Sequence, residues 1–131
     1  HDDVVFSTGS WEIVVSEEPK LRHLKKELES VVEKYGSMVP VKLYIGGCTD
    51  TVGSSESNRS LSQQRARAIG SWLANHGVTI PIYYHGFGED WLAEVTADGV
   101  DNEANRRAIY MVGANPPPSG AGVPPARWLR L

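Results

Sequence analysis

Apolar residues along this chain occur either at helical spacing or in short continuous runs, and these two patterns predict its helices and strands. Between Pro19 and Gly36, leucine, valine and tyrosine residues recur every three or four positions, with charged residues between them. This spacing predicts an amphipathic helix that begins near the proline and ends at the glycine. A second helix is predicted to end at Gly77 and to bury Leu61, Ala68, Ile69, Trp72 and Leu73.

Four short runs of apolar residues predict strands. They cover residues 4–6, 39–45, 80–87 and 108–112, and the second is rich in β-branched and aromatic residues. This run alternates poorly between apolar and polar residues, which is typical of a central strand covered on both faces. Its carboxyl end leads into Asp50, at an edge where an open α/β sheet tends to bind ligands.

The end of the chain has a different composition. Residues 114–131 hold five of the eight prolines, with glycine and serine between them. Such a segment cannot bury enough apolar surface to order itself, so we predict a folded domain over residues 1–113 and a disordered tail over residues 114–131. Trp128 and Leu129 leave open the alternative that the end of the tail docks on another surface.

Length and charge restrict the classes of function. At 131 residues the chain is long enough for one domain with its own core. A net charge of −3, with both signs mixed along the sequence, is not typical of a protein that binds nucleic acid or anionic lipid. No stretch approaches the roughly 18 apolar residues that a membrane span needs. We therefore expect contact with a membrane only through an anchor upstream of His1.

The residue types used by enzymes are not arranged here for catalysis. The four histidines share no metal-ligand spacing, and the single cysteine, Cys48, cannot form an internal disulfide. The sequence has no nucleophile elbow and no glycine-rich loop placed to bind phosphate. The acidic stretch over residues 89–104 does not match a calcium-binding loop. We therefore expect no catalytic residue, no metal site and no cofactor.

Asp50 and Arg65 form the most informative pair of charges. The aspartate follows a predicted strand, and a Gly/Ser loop separates it from the helix that carries Arg65 on the edge of its buried stripe. A carboxylate and a guanidinium that face one crevice could bind a zwitterion, because each would form charge-assisted hydrogen bonds with one charge of the ligand. We expect both side chains at the rim of the fold and not in its core. An internal salt bridge between the two is the alternative.

Four sequence motifs include this pair or follow it. The first two contain Thr49, Asp50 and Gly53, and then Asn58, Leu61, Ser62, Arg65 and Ala66. A Gly-x-Gly-Glu run at residues 86–89 and an Asn-Arg-Arg run at residues 105–107 come after them. With these motifs the chain resembles, over residues 4–112, the OmpA-like peptidoglycan-binding domain of outer-membrane proteins, Pal lipoproteins and flagellar stator proteins. Together, the resemblance and the apolar pattern predict an α/β sandwich of β-α-β-α-β-β type, with two main helices on one face of a mixed four-stranded sheet.

The resemblance also implies a ligand. In the family, the aspartate and the arginine of the central motif grip the diaminopimelate residue of the peptidoglycan stem peptide, which assigns this role to Asp50 and Arg65. Thr49 is expected to bond the peptide backbone, and the resemblance implies that Asn58, Leu61 and Arg106 line or approach the same pocket. The structural alternatives are a helix cap for Asn58, a core position for Leu61, and pairing with the acidic stretch for Arg106. Cys48 stands where the family usually has histidine, and we predict that it is a small buried side chain.

The function implied by the resemblance is non-covalent attachment of an envelope protein to peptidoglycan. The domain is expected in the periplasm, attached to the outer membrane or the cell envelope through regions outside this chain. Two alternatives stay open at this point. The same crevice or the proline-rich tail could dock an envelope protein, or the domain could be a cell-wall hydrolase.

Overall fold

A computed structural model of the chain describes residues 4–7, 9–49, 53–88, 107–118, 120 and 124–131. The helices are a short 3₁₀ helix at Val15–Glu17, α1 at Glu18–Tyr35 and α2 at Ser55–Asn75. The strands are β1 at Val4–Val5, β2 at Lys42–Cys48, β3 at Ile82–Gly88, β4 at Arg107–Gly113 and β5 at Leu129–Arg130. Within these residues, no helix has both the length and the apolar character needed to cross a membrane.

Local sequence explains where the helices begin and end. Pro19 is the second residue of α1, where the missing backbone N–H costs nothing because the first turn has no intrahelical acceptor for it. Ser54 caps α2, since its side-chain oxygen accepts a 3.1 Å hydrogen bond from the backbone N–H of Ser57. After α2, Gly77 takes a left-handed conformation with φ of 94°, which ends the helix as predicted.

The strands form one mixed sheet in the order β1-β4-β2-β3-β5. Strands β2 and β3 are parallel, and every other neighbouring pair is antiparallel. The hydrophobic core combines α1 and α2 with the facing side of the sheet. Its fully buried members include Leu21, Leu24, Leu28, Leu43, Ile45, Ile69 and Leu73. The predicted α/β sandwich is confirmed, and the sheet has five strands where four were predicted.

Two glycines bring α2 unusually close to the sheet. A Cβ atom added to Gly47 of β2 would lie only 1.8 Å from the backbone oxygen of Ser62, and one added to Gly86 of β3 would lie 2.5 Å from the backbone nitrogen of Gln63. The middle of α2 therefore packs directly on the backbone of both central strands. As a result, the side chain that follows one turn later on α2, at Arg65, reaches the carboxyl end of β2.

Aromatic side chains cover the sheet face opposite the helices. Tyr44 is buried there, with its ring stacked on Tyr83 at 5.2 Å and in edge contact with Trp128 at 5.4 Å. Gly46 makes room for Phe87, since an added Cβ atom would lie 2.7 Å from the Phe87 ring. Burial raises the pKa of the Tyr44 phenol, and interaction with Tyr83 adds to the shift.

The end of the chain differs from the predicted disordered tail. Leu129 and Arg130 pair antiparallel with β3, and the N–H of Leu131 donates to the carbonyl of Ile82 at 2.9 Å. The proline content does not show that β3 has an open edge, or that Trp128 has aromatic rings to pack on. Residues 124–131 therefore belong to the fold, and the boundary between residues 113 and 114 stays a prediction.

Candidate functional site

Arg65 is the centre of the candidate site, and three backbone carbonyls surround its guanidinium. Nε donates to the carbonyl of Ser10 at 2.7 Å, Nη2 to that of Ser7 at 2.9 Å and Nη1 to that of Cys48 at 3.2 Å. The Phe6 ring centroid lies 5.2 Å from Cζ of Arg65, which is cation–π distance. These contacts fix the plane of the guanidinium and join α2 to β2 and to the segment that follows β1.

The predicted position of Arg65 at the rim is wrong. The residue is 0% exposed, and it is among the largest fully buried side chains of the described chain. The physical reason is that the backbone of Ser7 and Ser10 lies over it, and their carbonyls suit a group with five N–H donors. The spacing of Arg65 from Leu61 and Ile69 places it correctly beside the buried stripe, but it gives no information about a contact 55 residues away.

Thr49 follows Cys48, the β2 residue whose carbonyl is bound by Arg65. Its backbone N–H donates to the carbonyl of Gly88 at 2.9 Å, which ties the end of β2 to the end of β3. Its hydroxyl oxygen is buried and has no hydrogen-bond partner among the residues that the structure describes, which is an unfavourable state for a polar atom. Asp50 follows directly in the sequence but lies outside the described residues, so the salt-bridge alternative stays open.

The other three predicted site residues have different surroundings. Asn58 is buried in the first turn of α2, and it is not the helix cap, because Ser54 fills that position. Leu61 is half-buried and lines a surface groove, so it belongs only partly to the core. Arg106 lies outside the described part of the chain, and its neighbour Arg107 is buried where β4 pairs with Val5.

Two motif residues have structural roles. The Ser62 hydroxyl donates to the carbonyl of Arg59 and accepts from the N–H of Gly88, both at 2.8 Å. This serine therefore fixes the end of β3 against α2. Cys48 is fully buried, which confirms the prediction of a small buried side chain, and its carbonyl is one of the three acceptors around Arg65.

A groove lined in part by Gln64, the residue before Arg65, was not predicted. It has a volume of about 640 Å³ and runs between the segment after β1 and the first three turns of α2. Its lining consists of Gly9, Trp11, Ser54, Glu56, Ser57, Ser60, Leu61 and Gln64. Trp11 is 49% exposed, so a large apolar ring faces solvent here. The only sequence signal was one tryptophan between a serine and a glutamate, outside every predicted element.

The chain belongs to the OmpA family, which residues 5–106 match. Outer membrane protein A of Serratia marcescens is 33% identical over 76 residues, which are 58% of this chain and 20% of that protein. Outer membrane protein A of Buchnera aphidicola subsp. Schizaphis graminum is 27% identical over 79 residues, or 60% and 21% of the two chains. The chain thus spans about a fifth of the length of these relatives.

Solved structures share the fold. The peptidoglycan-associated lipoprotein from Burkholderia pseudomallei superposes with a TM-score of 0.71 at 24% identity, over 86% of this chain and 91% of that one. The C-terminal domain of Helicobacter pylori MotB gives a TM-score of 0.65 at 19% identity, over 88% and 86%. The resemblance seen in the sequence motifs is therefore confirmed at the level of family and fold.

Proposed function

We propose that this domain binds peptidoglycan non-covalently through the diaminopimelate residue of the stem peptide, and so anchors an envelope protein to the cell wall in the periplasm. The observation that carries the proposal is the position of Arg65. Its guanidinium is fixed at the carboxyl end of β2 by the carbonyl of Cys48, and Thr49 and Asp50 are the next two residues in the sequence of this chain of the OmpA family. One protein of similar fold is a peptidoglycan-associated lipoprotein, which supports the same polymer as the ligand.

The proposed chemistry uses two opposite charges. The Asp50 carboxylate accepts hydrogen bonds from the ammonium of diaminopimelate, and the Arg65 guanidinium binds the adjacent carboxylate. The hydroxyl of Thr49 supplies a donor and acceptor that has no partner within the described part of the chain. Asn58, Leu61 and Arg106 complete the proposed pocket.

The burial of Arg65 adds a condition to this proposal. Because the side chain is fully covered, a ligand carboxylate reaches it only by replacing part of that cover. In return, the guanidinium is already desolvated and held in one plane by three carbonyls. A preorganised donor loses little freedom when a ligand binds, which favours a specific contact over a solvated one.

Co-sedimentation with purified sacculi tests the proposal. The Asp50→Asn variant keeps the size of the side chain but removes its charge, so we expect it to lose most binding. Glu27→Gln on α1 is the matched control, since its carboxylate is 54% exposed and lies 2.8 Å from Nε2 of His23 on the same helix, away from the contacts of Arg65. Equal binding by Asp50→Asn and Glu27→Gln contradicts the assignment of Asp50.

The same assay separates the alternative functions. A protein-interaction module binds no purified sacculi, and a hydrolase releases soluble fragments from them during the incubation. The proposed function predicts binding without release. Analysis of the supernatant for soluble muropeptides therefore completes the experiment.

A further inference from the structure

We propose that the groove beside Trp11 is a second binding site, which takes the N-acetylated sugars of the glycan strand. This inference rests on the proposed function, because it assigns the groove to a different part of the same polymer. The stem peptide is held at Arg65, and the uncharged sugar to which that peptide is attached lies along α2.

Trp11 is exposed but held on a fixed backbone. The carbonyl of the preceding residue, Ser10, is bound to Arg65, and the N–H of Ser10 closes a turn by donating to the carbonyl of Ser7 at 3.1 Å. On the other side, the N–H of Glu12 donates to the Ser10 hydroxyl at 3.1 Å, and Ile13 packs against the core. A tryptophan on a backbone held in this way offers a large apolar ring without the cost of ordering the main chain.

Open space lies on both sides of this tryptophan. A second, smaller depression of about 200 Å³ is lined by Trp11 with Gln64, Arg67, Ala68 and Ser71. Trp11 and Gln64 line both depressions. A sugar ring can pack its C–H face on an indole placed in this way, with the carboxamide beside it for hydrogen bonds to hydroxyl or acetamido groups.

The chemistry of the lining favours an uncharged polar ligand. Beside the indole and Leu61, the groove presents the hydroxyls of Ser57 and Ser60 and the carboxamide of Gln64, and the one charge among its described residues is the carboxylate of Glu56. None of the described residues that line it is basic, so this lining offers no group to neutralise a phosphate or a carboxylate. Hydroxyl and amide groups around an apolar platform match the alternating C–H and O–H surface of a hexosamine.

The groove also has a suitable length and position. Its lining follows α2 from Ser54 to Gln64, which at 1.5 Å per residue is about 15 Å. In peptidoglycan, diaminopimelate is the third residue of the stem, so roughly 10 Å of extended peptide separates it from the sugar. A sugar in the groove and a diaminopimelate at Arg65 can therefore belong to one disaccharide-peptide.

The test titrates two separate probes into the full chain and follows them by NMR. One is the tetramer of N-acetylglucosamine, which is uncharged and carries no peptide, and the other is the free diaminopimelate-containing stem tripeptide. We expect the tetramer to shift the indole N–H resonance of Trp11 and the carboxamide resonances of Gln64 in a saturable way. Trp11→Ala should weaken tetramer binding roughly three- to tenfold, the range typical of one aromatic contact, while Trp11→Phe retains most of it.

Two controls keep the result specific. Tyr35→Ala removes an aromatic residue of similar exposure, 50%, from the far end of α1 and should leave both titrations unchanged. Circular dichroism confirms that each variant is folded.

Binding of the tripeptide without any saturable response to the tetramer overturns the glycan site and leaves the proposed function standing. Binding of the tetramer without the tripeptide contradicts the proposed function instead. An equal effect of Trp11→Ala on both probes means that the groove holds peptide, which also overturns the inference.

Discussion

Arg65 donates a 2.7 Å hydrogen bond from Nε to the backbone carbonyl of Ser10, which lies 55 positions earlier in the chain. The bond joins α2, which carries Asn58, Leu61 and Arg65, to the segment that presents Trp11. The arginine therefore has two roles that a substitution does not separate. It holds the N-terminal segment in place, and under the proposed function it binds a carboxylate of the ligand.

The structural role predicts that Arg65→Ala lowers the free energy of unfolding by roughly 3 kcal/mol or more, because three carbonyls lose a charged donor and two of these bonds are partly screened from water. Arg65→Lys should also be destabilising, since one ammonium cannot reach all three carbonyls. Urea denaturation followed by circular dichroism measures both effects.

Arg67→Ala is the matched control for this prediction. It removes an exposed arginine from the same helix, and we expect a change within about 0.5 kcal/mol. If Arg65→Ala were as stable as Arg67→Ala, the three hydrogen bonds would contribute nothing to the fold. In that case a loss of sacculus binding by Arg65→Ala could be read as a loss of ligand contact alone.

Features that depend on neighbouring residues were predictable from the sequence. The spacing of apolar residues gave both helices, and Gly36 and Gly77 lie where each of them ends. The run of apolar and aromatic residues before Cys48 gave the central strand, although β2 begins at Lys42 and not at residue 39. Each of these signals is local, because helical spacing and strand composition act within one element.

Features that depend on distant residues were not predictable. The cover of Arg65 is made by the backbone of Ser7 and Ser10, and a carbonyl has the same chemistry in every residue. The fifth strand requires that β3 has an open edge and that Trp128 meets Tyr44, and neither fact can be read from the proline-rich segment itself. The groove beside Trp11 lies between α2 and the segment that Arg65 binds, so it too depends on a contact between distant residues.

Trp128 should contribute to stability, because it packs edge-on against Tyr44, His85 and Phe87 on the open face of the sheet. We expect Trp128→Ala to lower the free energy of unfolding by about 1–3 kcal/mol, which is less than a fully buried tryptophan contributes, because the side chain is only half-buried. The near-ultraviolet circular dichroism of the aromatic cluster should also weaken.

Arg127→Ala provides the comparison for Trp128, since it changes the adjacent exposed residue and keeps the backbone that contacts His85. Its stability should match that of the parent chain. A Trp128→Ala variant with unchanged stability would mean that residues 124–131 are not part of the folded domain in solution.

Tyr44 predicts how stability changes at alkaline pH. Burial and Tyr83 raise its pKa in the folded state, so the folded protein holds the phenolic proton more tightly than the unfolded chain does. The contribution is fully present below the unfolded pKa of about 10 and is lost as pH rises from there through the folded pKa. In Tyr44→Phe the decrease of stability above pH 10 should be smaller.

Urea titrations between pH 8 and pH 11 test this, with the half-exposed Tyr35→Phe expected to follow the parent chain. The same decrease in all three proteins would contradict the role of Tyr44.

Selectivity between stem peptides tests the proposed ligand role of Arg65. Diaminopimelate carries a carboxylate beside the amine at the end of its side chain, whereas lysine carries the amine alone. A lysine-type peptide would satisfy Asp50 but leave the guanidinium without the group it is proposed to bind. Sites built to bond a group discriminate against analogues that lack it, so we expect about thirtyfold weaker binding, or roughly 2 kcal/mol. Amidation of the same carboxylate should have a similar effect.

Isothermal titration of the unmodified domain with soluble muropeptides of the three types measures this difference without altering Arg65, so the result is independent of its structural role. Equal affinity for all three would show that Arg65 serves only to hold Ser7, Ser10 and Cys48 together.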